Sequence, residues 1–310
     1  MPDLVTLGET MAALAPDRIG PLRHTRHLSL GIAGSESTVA IGVRRLGYTA
    51  AWIGRLGDDE LGRLVAGTLR SEGVEVCART DPDAPTGLLL KERRTGSARR
   101  VHYYRSGSAG SRLVPADLPA GVIESALVVH MSAITPALSP GAADTTGEVV
   151  RRARYVSFDA NFRSKLWSAE DFRRCVLGLL PKVDLLFASL HEARILLEDP
   201  DGDAEELAAA LRTKGPATVV VTMGRDGAVS VGPSGVHHVA AEFVVEVDPV
   251  GAGDSFVAGY LSALLDGAPE PQRLRIASRT AAFSVSADGD WEGLPTSEEL
   301  AASAADDIIR

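Results

Sequence analysis

The stretch Asp248–Tyr260, DPVGAGDSFVAGY, joins a predicted strand, Glu242–Val247, to an apolar-periodic segment that runs to about Leu265. Gly251, Ala252 and Gly253 are small, and the acidic Asp254 follows where a helix begins. A helix start built this way points unpaired backbone N–H groups at one spot, with the positive end of the helix dipole behind them. Such a spot suits a phosphate. Asp254 then sets a carboxylate beside the bound anion, a placement that makes sense where a proton must be removed. The alternative is a tight turn with Asp254 as a simple N-cap.

Working outward, strand-like runs alternate with helix-like segments through most of the 310 residues. Val5–Gly8, Ala50–Gly54, Leu127–Met131, Tyr155–Phe158, Val183–Ala188 and Thr218–Thr222 read as strands. Ser37–Leu46, Asp59–Glu72, Ser168–Leu180, Asp254–Leu265 and Gln272–Ala287 read as helices between or after them. Alternation of this kind predicts βαβ units around a parallel sheet. Ala228–Val231 and Val236–Ala240 read as an antiparallel hairpin. Two segments interrupt the pattern: Met11–Ile32, and Thr86–Arg105, a long hairpin with partial alternation. They are expected to form a small β-sheet lid inserted in one α/β domain covering 1–310.

Composition narrows the function classes. A net charge of −9 argues against nonspecific nucleic-acid binding. Arg93, Arg94, Arg99 and Arg100 flank a Thr95-Gly96-Ser97 turn, either a solvated hairpin tip or a positive field over an anion cleft. No apolar run is long enough for a membrane span, and the N-terminus has no signal-peptide pattern, so the expectation is a cytoplasmic enzyme. Cys77 and Cys175 form neither a disulfide framework nor a CxxC pair. The adjacent His237 and His238 would face opposite sides of a strand, which is poor metal geometry.

DPVGAGDSFVAGY resembles the C-terminal signature of the ribokinase-like (PfkB-type) carbohydrate kinases, and Ala33–Gly47, AGSESTVAIGVRRLG, resembles their N-terminal glycine-rich segment. Within that family the chain is similar to the 2-keto-3-deoxygluconate kinase branch. Four segments carry that likeness: Gly34–Ser37, Tyr103–Leu113 (YYRSGSAGSRL), Ile134–Pro140 and Phe158–Trp167 (FDANFRSKLW). The resemblance implies a three-layer α/β/α core with a β-sheet lid. It also implies ATP and Mg²⁺ as cofactors and a small-molecule sugar acid as substrate, and leaves a monovalent cation open. A lid built from a β-sheet leaves an exposed face, so a homo-oligomer is expected.

Residue by residue, the resemblance makes Asp254 the base and Gly251, Ala252 and Gly253 its anion hole. Gly34, Tyr103, Arg105, Arg163 and Asp290 would bind the sugar acid. Asn161, Arg163, Ser189, Thr222, Gly224, Gly227 and Ser278 would line the nucleotide site. Glu192 matches the acidic element that organises Mg²⁺ through water, with no direct protein ligand. Arginine's planar fork suits a carboxylate, and two of them would favour an acid over a neutral sugar. The chain departs from the family pattern at Thr38, Leu89 and Thr222, of which Thr38 and Leu89 are expected to face the sugar. Other sugar kinases of the family, and a non-catalytic sensor, remain alternatives. A dinucleotide oxidoreductase would need a GxGxxG after the first strand, where Leu7-Gly8-Glu9-Thr10 stands instead.

Overall fold

The computed structural model describes residues 1–95 and 99–305. The strands in chain order begin with β1 (Leu4–Leu7), β2 (Met11–Pro16), β3 (Leu28–Ala33), β4 (Ala50–Gly57), β5 (Glu75–Asp81), β6 (Leu88–Arg93) and β7 (Arg99–Tyr104). There follow β8 (Val128–Ser132), β9 (Val156–Asp159), β10 (Leu185–Ser189), β11 (Thr218–Thr222), β12 (Ala228–Gly232) and β13 (Gly235–Val239). Nine of them form one sheet in the order β13-β12-β11-β10-β9-β8-β1-β4-β5. All neighbours from β5 to β11 are parallel, and only the β11–β12–β13 end is antiparallel. Helices cover both faces, which is why β1, β8, β9 and β10 are buried almost throughout.

Strand order reverses at β1, whose neighbours β4 and β8 lead outward in opposite directions. A crevice outside the carboxyl ends of the strands is expected at such a switch point. The remaining four strands make the second sheet, β3-β2-β6-β7. It is the lid expected from Met11–Ile32 and Thr86–Arg105. Register places Met11, Ala13, Ala33, Leu89 and Tyr103 on one lid face, over the crevice, and Leu14, Leu28, Leu30, Leu90 and Tyr104 on the other.

The helix Ala252–Leu265 is apolar all round because it is enclosed: Ser255 to Ala263 are buried, with the helices Ser35–Arg45 and Glu270–Val285 packed against it. Its N-terminus is thereby held rigidly at the crevice. One expectation fails. Glu242–Val247 is not a strand, and Phe243 and Val245 are 98% and 79% exposed. The chain leaves the sheet after β13 and runs beside the helix Glu270–Val285, where Ser278 donates to the Ala240 carbonyl and Arg279 to Glu242. Backbone N–H groups of Val247 and Asp248 instead donate to the Val285 carbonyl.

Candidate active site

Carboxyl-end residues of successive strands converge on one cleft of about 1300 Å³ between core and lid. Glu9 follows β1, Asp159 ends β9, Ser189 ends β10 and Thr222 ends β11, and all four line it. Gly251 to Asp254 enter from the N-terminus of the buried helix, and Leu89, Val101, Tyr103 and Arg105 from the lid.

The helix start has the geometry the sequence suggested, with one difference. Gly251 is the N-cap at φ 82°, and a Cβ there would lie 2.1 Å from the Asp290 carbonyl oxygen, so only glycine fits. Above Gly253 the space is open. The N–H groups of Gly253 and Asp254 make no hydrogen bond among the described residues, whereas that of Ala252 turns back to the Pro249 carbonyl at 3.3 Å. The anion hole is thus two well-aimed donors with a third only weakly engaged.

Asp254 faces the cleft half-buried. Its carboxyl is pushed up to about 6, chiefly by burial and secondarily by Asp290, against the lowering effects of the Ser35 hydroxyl and Arg163. Ser35 Oγ donates to Asp254 Oδ1 at 2.5 Å. Three other carboxyls of the cleft wall are also shifted upward. Asp159 sits well above the usual range through burial and the nearby Glu192 and Asp254. Asp290 is also raised by burial, with Lys91 of β6 paired to it across the lid opening. Glu36 is raised by burial while it accepts from the Ser132 backbone and hydroxyl and from Thr135.

The cations differ in how much of their charge is committed. Arg105 gives Nε to Glu9 Oε2 at 2.7 Å and a terminal nitrogen to the same oxygen at 2.5 Å, so its charge is largely met inside the protein. The Arg163 side chain is exposed to the cleft, and its guanidinium forms no ion pair or hydrogen bond among the described residues. Tyr103 stands between Arg105 and Lys165, each within 6 Å of its ring centre. Lys165 also donates to the Val101 carbonyl, tying the core to the lid.

On the nucleotide side, Asn161, Ser189, Glu192 and Thr222 line the cleft, whereas Gly224, Gly227 and Ser278 do not. Gly227 has its own conformational reason, φ 96° with the Val239 carbonyl 1.9 Å from where a Cβ would stand. Ser278 is buried, its hydroxyl spent on the Ala240 carbonyl. Gly34 lines the cleft, and a Cβ on it would press Ser37 Oγ and the Glu9 carbonyl. Leu89 faces the cleft as expected, but Thr38 does not: it is buried in its helix, since the residue one turn in from Gly34 points into the core. Arg93 pairs with Asp288 at 2.9 Å, and neither it, Arg94 nor Arg100 lines the cleft. Gly96 and Ser97 of their turn lie outside the described residues.

Four participants escaped the sequence reading: Glu9, Ser35, Glu36 and Lys91. Each had a local signal. Glu9 follows the first strand directly, Ser35 and Glu36 belong to the glycine-rich helix start, and Lys91 alternates with Leu89 on the lid. Their partners lie far away in sequence, which is what hid them.

The donor set fits a nucleotide phosphate, with two free N–H groups under open space at a helix N-terminus. For a metal, Glu192 has both oxygens on backbone N–H groups, those of Phe162 and Ser189, each at 2.7 Å. Among the described residues no cluster of three or more metal-ligating side chains occurs. This arrangement suits an ion held on phosphate oxygens and water rather than in a protein cage.

Comparison with known proteins agrees. The chain is 40% identical over 294 residues to the 2-dehydro-3-deoxygalactonokinase of Haloferax volcanii, covering 93% of this chain and 92% of that one. It is 35% identical over 309 residues to the 2-dehydro-3-deoxygluconokinase of Bacillus subtilis, covering 96% and 94%. The solved structure of a putative ribokinase II from E. coli in complex with ATP and Mg²⁺ superposes with a TM-score of 0.90 at 22% identity, over 98% and 99% of the two chains. The model of the pfkB family carbohydrate kinases matches residues 1–297, and this chain belongs to that family.

Proposed function

We propose that this chain, acting as one unit over 1–310 in the cytoplasm, transfers the γ-phosphoryl group of ATP to the terminal primary hydroxyl of 2-keto-3-deoxygluconate. The observation that carries the reading is Asp254, a cleft carboxylate with a raised pKa beside the free N–H groups of Gly253 and its own backbone. In this reading Asp254 takes the proton of the attacking hydroxyl as its oxygen bonds the γ-phosphorus and the bond to ADP breaks. The N–H groups at the helix start stabilise charge on the transferring group. Mg²⁺, when bound, would neutralise charge on the phosphates. Glu192 orders the water around it, Asn161, Ser189 and Thr222 wall the nucleotide end, and the lid excludes water.

An acid substrate is supported by Arg163, a cleft cation with no ion-pair partner among the described residues, and by the sugar-acid names of the relatives. Arg105, its charge largely met by Glu9, serves as a second and weaker contact, with Tyr103, Gly34 and Asp290 around the hydroxyls. A homo-oligomer joined through the outward lid face is supported by the apolar Leu28, Leu30 and Tyr104 exposed there.

A coupled ADP-release assay over gluconate- and galactonate-series keto-deoxy acids, fructose and ribose tests the substrate. Turnover with neutral sugars alone overturns it. In the same assay Arg163→Ala should weaken the acid substrate at least 10-fold more than any neutral sugar, and equal losses would count against the acid reading.

A further inference from the structure

The hydroxyl of Ser35 lies in a chain of hydrogen bonds that joins elements far apart in sequence. Asn161 Nδ2 donates to Ser35 Oγ at 3.1 Å and to Asp159 Oδ2 at 3.1 Å. Both amide hydrogens are therefore used, and a flipped amide would set its oxygen against the Asp159 carboxyl. The serine hydroxyl carries one hydrogen. Since its oxygen already accepts from Asn161, that hydrogen goes to Asp254 Oδ1, 2.5 Å away. Asp254 Oδ2 makes no hydrogen bond among the described residues and keeps its place on the cleft.

Asn161 is itself fixed. Its backbone is left-handed at φ 35°, a conformation asparagine tolerates, and its N–H returns to Asp159 Oδ1 at 3.2 Å. We propose that Ser35, held by Asn161, is a positioning residue for Asp254: it engages one carboxylate oxygen and leaves the other aimed at the attacking hydroxyl. The proposal rests on Asp254 acting as the base.

A hydrogen bond donated to a carboxylate favours the ionised form. The groups that face Asp254 are Arg163 from the loop after β9, Asp159 at the end of β9, Asp290 from the loop before the last helix, and Glu36 from the helix Ser35–Arg45. Three of these four are acids, so the Ser35 hydrogen bond and Arg163 are what keep the base ionised near neutral pH.

The test measures kcat and KM against pH for wild type, Ser35→Ala, Ser35→Thr and Asn161→Gly, the last removing the amide while glycine accepts the left-handed backbone. Ser35→Ala should move the acid limb of kcat/KM upward by about one to two pH units. Activity at pH 7 should fall about 2- to 10-fold and recover in alkaline solution, with the KM for ATP unchanged. Ser35→Thr keeps the hydroxyl and should keep the wild-type limb, and Asn161→Gly should shift it upward by less than Ser35→Ala. An unshifted limb in both Ser35→Ala and Asn161→Gly, while Asp254→Asn is inactive, overturns the positioning role alone. An active Asp254→Asn overturns the base assignment and this proposal with it.

Discussion

Replacing Asp254 by asparagine should make the protein more stable while disabling it, and the structure sets the size of the gain. The Asp254 carboxyl rises from 3.8 to about 6 on folding, mostly through burial. A rise of that size corresponds to about 3 kcal/mol of destabilisation by the charged form. That figure is an upper bound, because the cleft leaves Asp254 half-buried and in contact with water. Asparagine also loses the charge on which Ser35 and Arg163 act. A net gain of about 1 to 2 kcal/mol follows, or roughly 1.5 to 3 °C in Tm for a chain of this length.

The size of the gain depends on pH. Below the unfolded value of 3.8 the carboxyl is protonated in both states, and the variant gains nothing from this source. The gain grows as pH rises from 3.8 to about 6 and is constant above that. Denaturant unfolding of wild type and variant at pH 4.5, 6 and 7.5 reads the trend, and phosphoryl transfer measured beside it should fall at least about 100-fold. A variant less stable than wild type at pH 7.5, or a difference independent of pH, would refute the account of Asp254 as a desolvated, functionally placed charge.

Further outcomes follow from the same geometry. The wild-type kcat/KM should decline as pH falls through about 6, since protonated Asp254 cannot accept the substrate proton, and a flat profile down to pH 5 would contradict the assignment. Gly251→Ala forces a left-handed alanine against the Asp290 carbonyl; activity should be lost with about 1–3 kcal/mol of stability, read by denaturant midpoint. Lys91→Ala leaves Asp290 without its cation in a nearly buried place, so sugar KM should rise and stability fall by about 1–3 kcal/mol, with ATP KM unmoved.

Much of this protein follows from short-range pattern. The DPVGAGD turn and its helix start are local chemistry: small residues where donors must be bare, an acid at the first turn, and an apolar run behind them. The helix–strand alternation is equally local, and it carries the parallel sheet, the lid segments and the cleft at the strands' carboxyl ends. Where local pattern misled, tertiary packing was responsible. Glu242–Val247 has a strand's composition, but Glu242 pairs with Arg279 and the Val247 N–H donates to the Val285 carbonyl, so the segment follows a helix rather than the edge of β13.

What only the tertiary structure decided is how charge is distributed inside the cleft. Ser35 meets Asp254 across 219 residues, Lys91 meets Asp290 across 199, and Arg105 meets Glu9 across 96. None of these pairs has a sequence signature, because electrostatic partners in a low-dielectric site are chosen by distance in space and by burial. By itself the chain's sequence settled that a phosphoryl-transfer site exists and where its helix lies. The folded molecule decided which carboxylate is pushed up to about 6, and which cleft arginine has no ion-pair partner among the described residues.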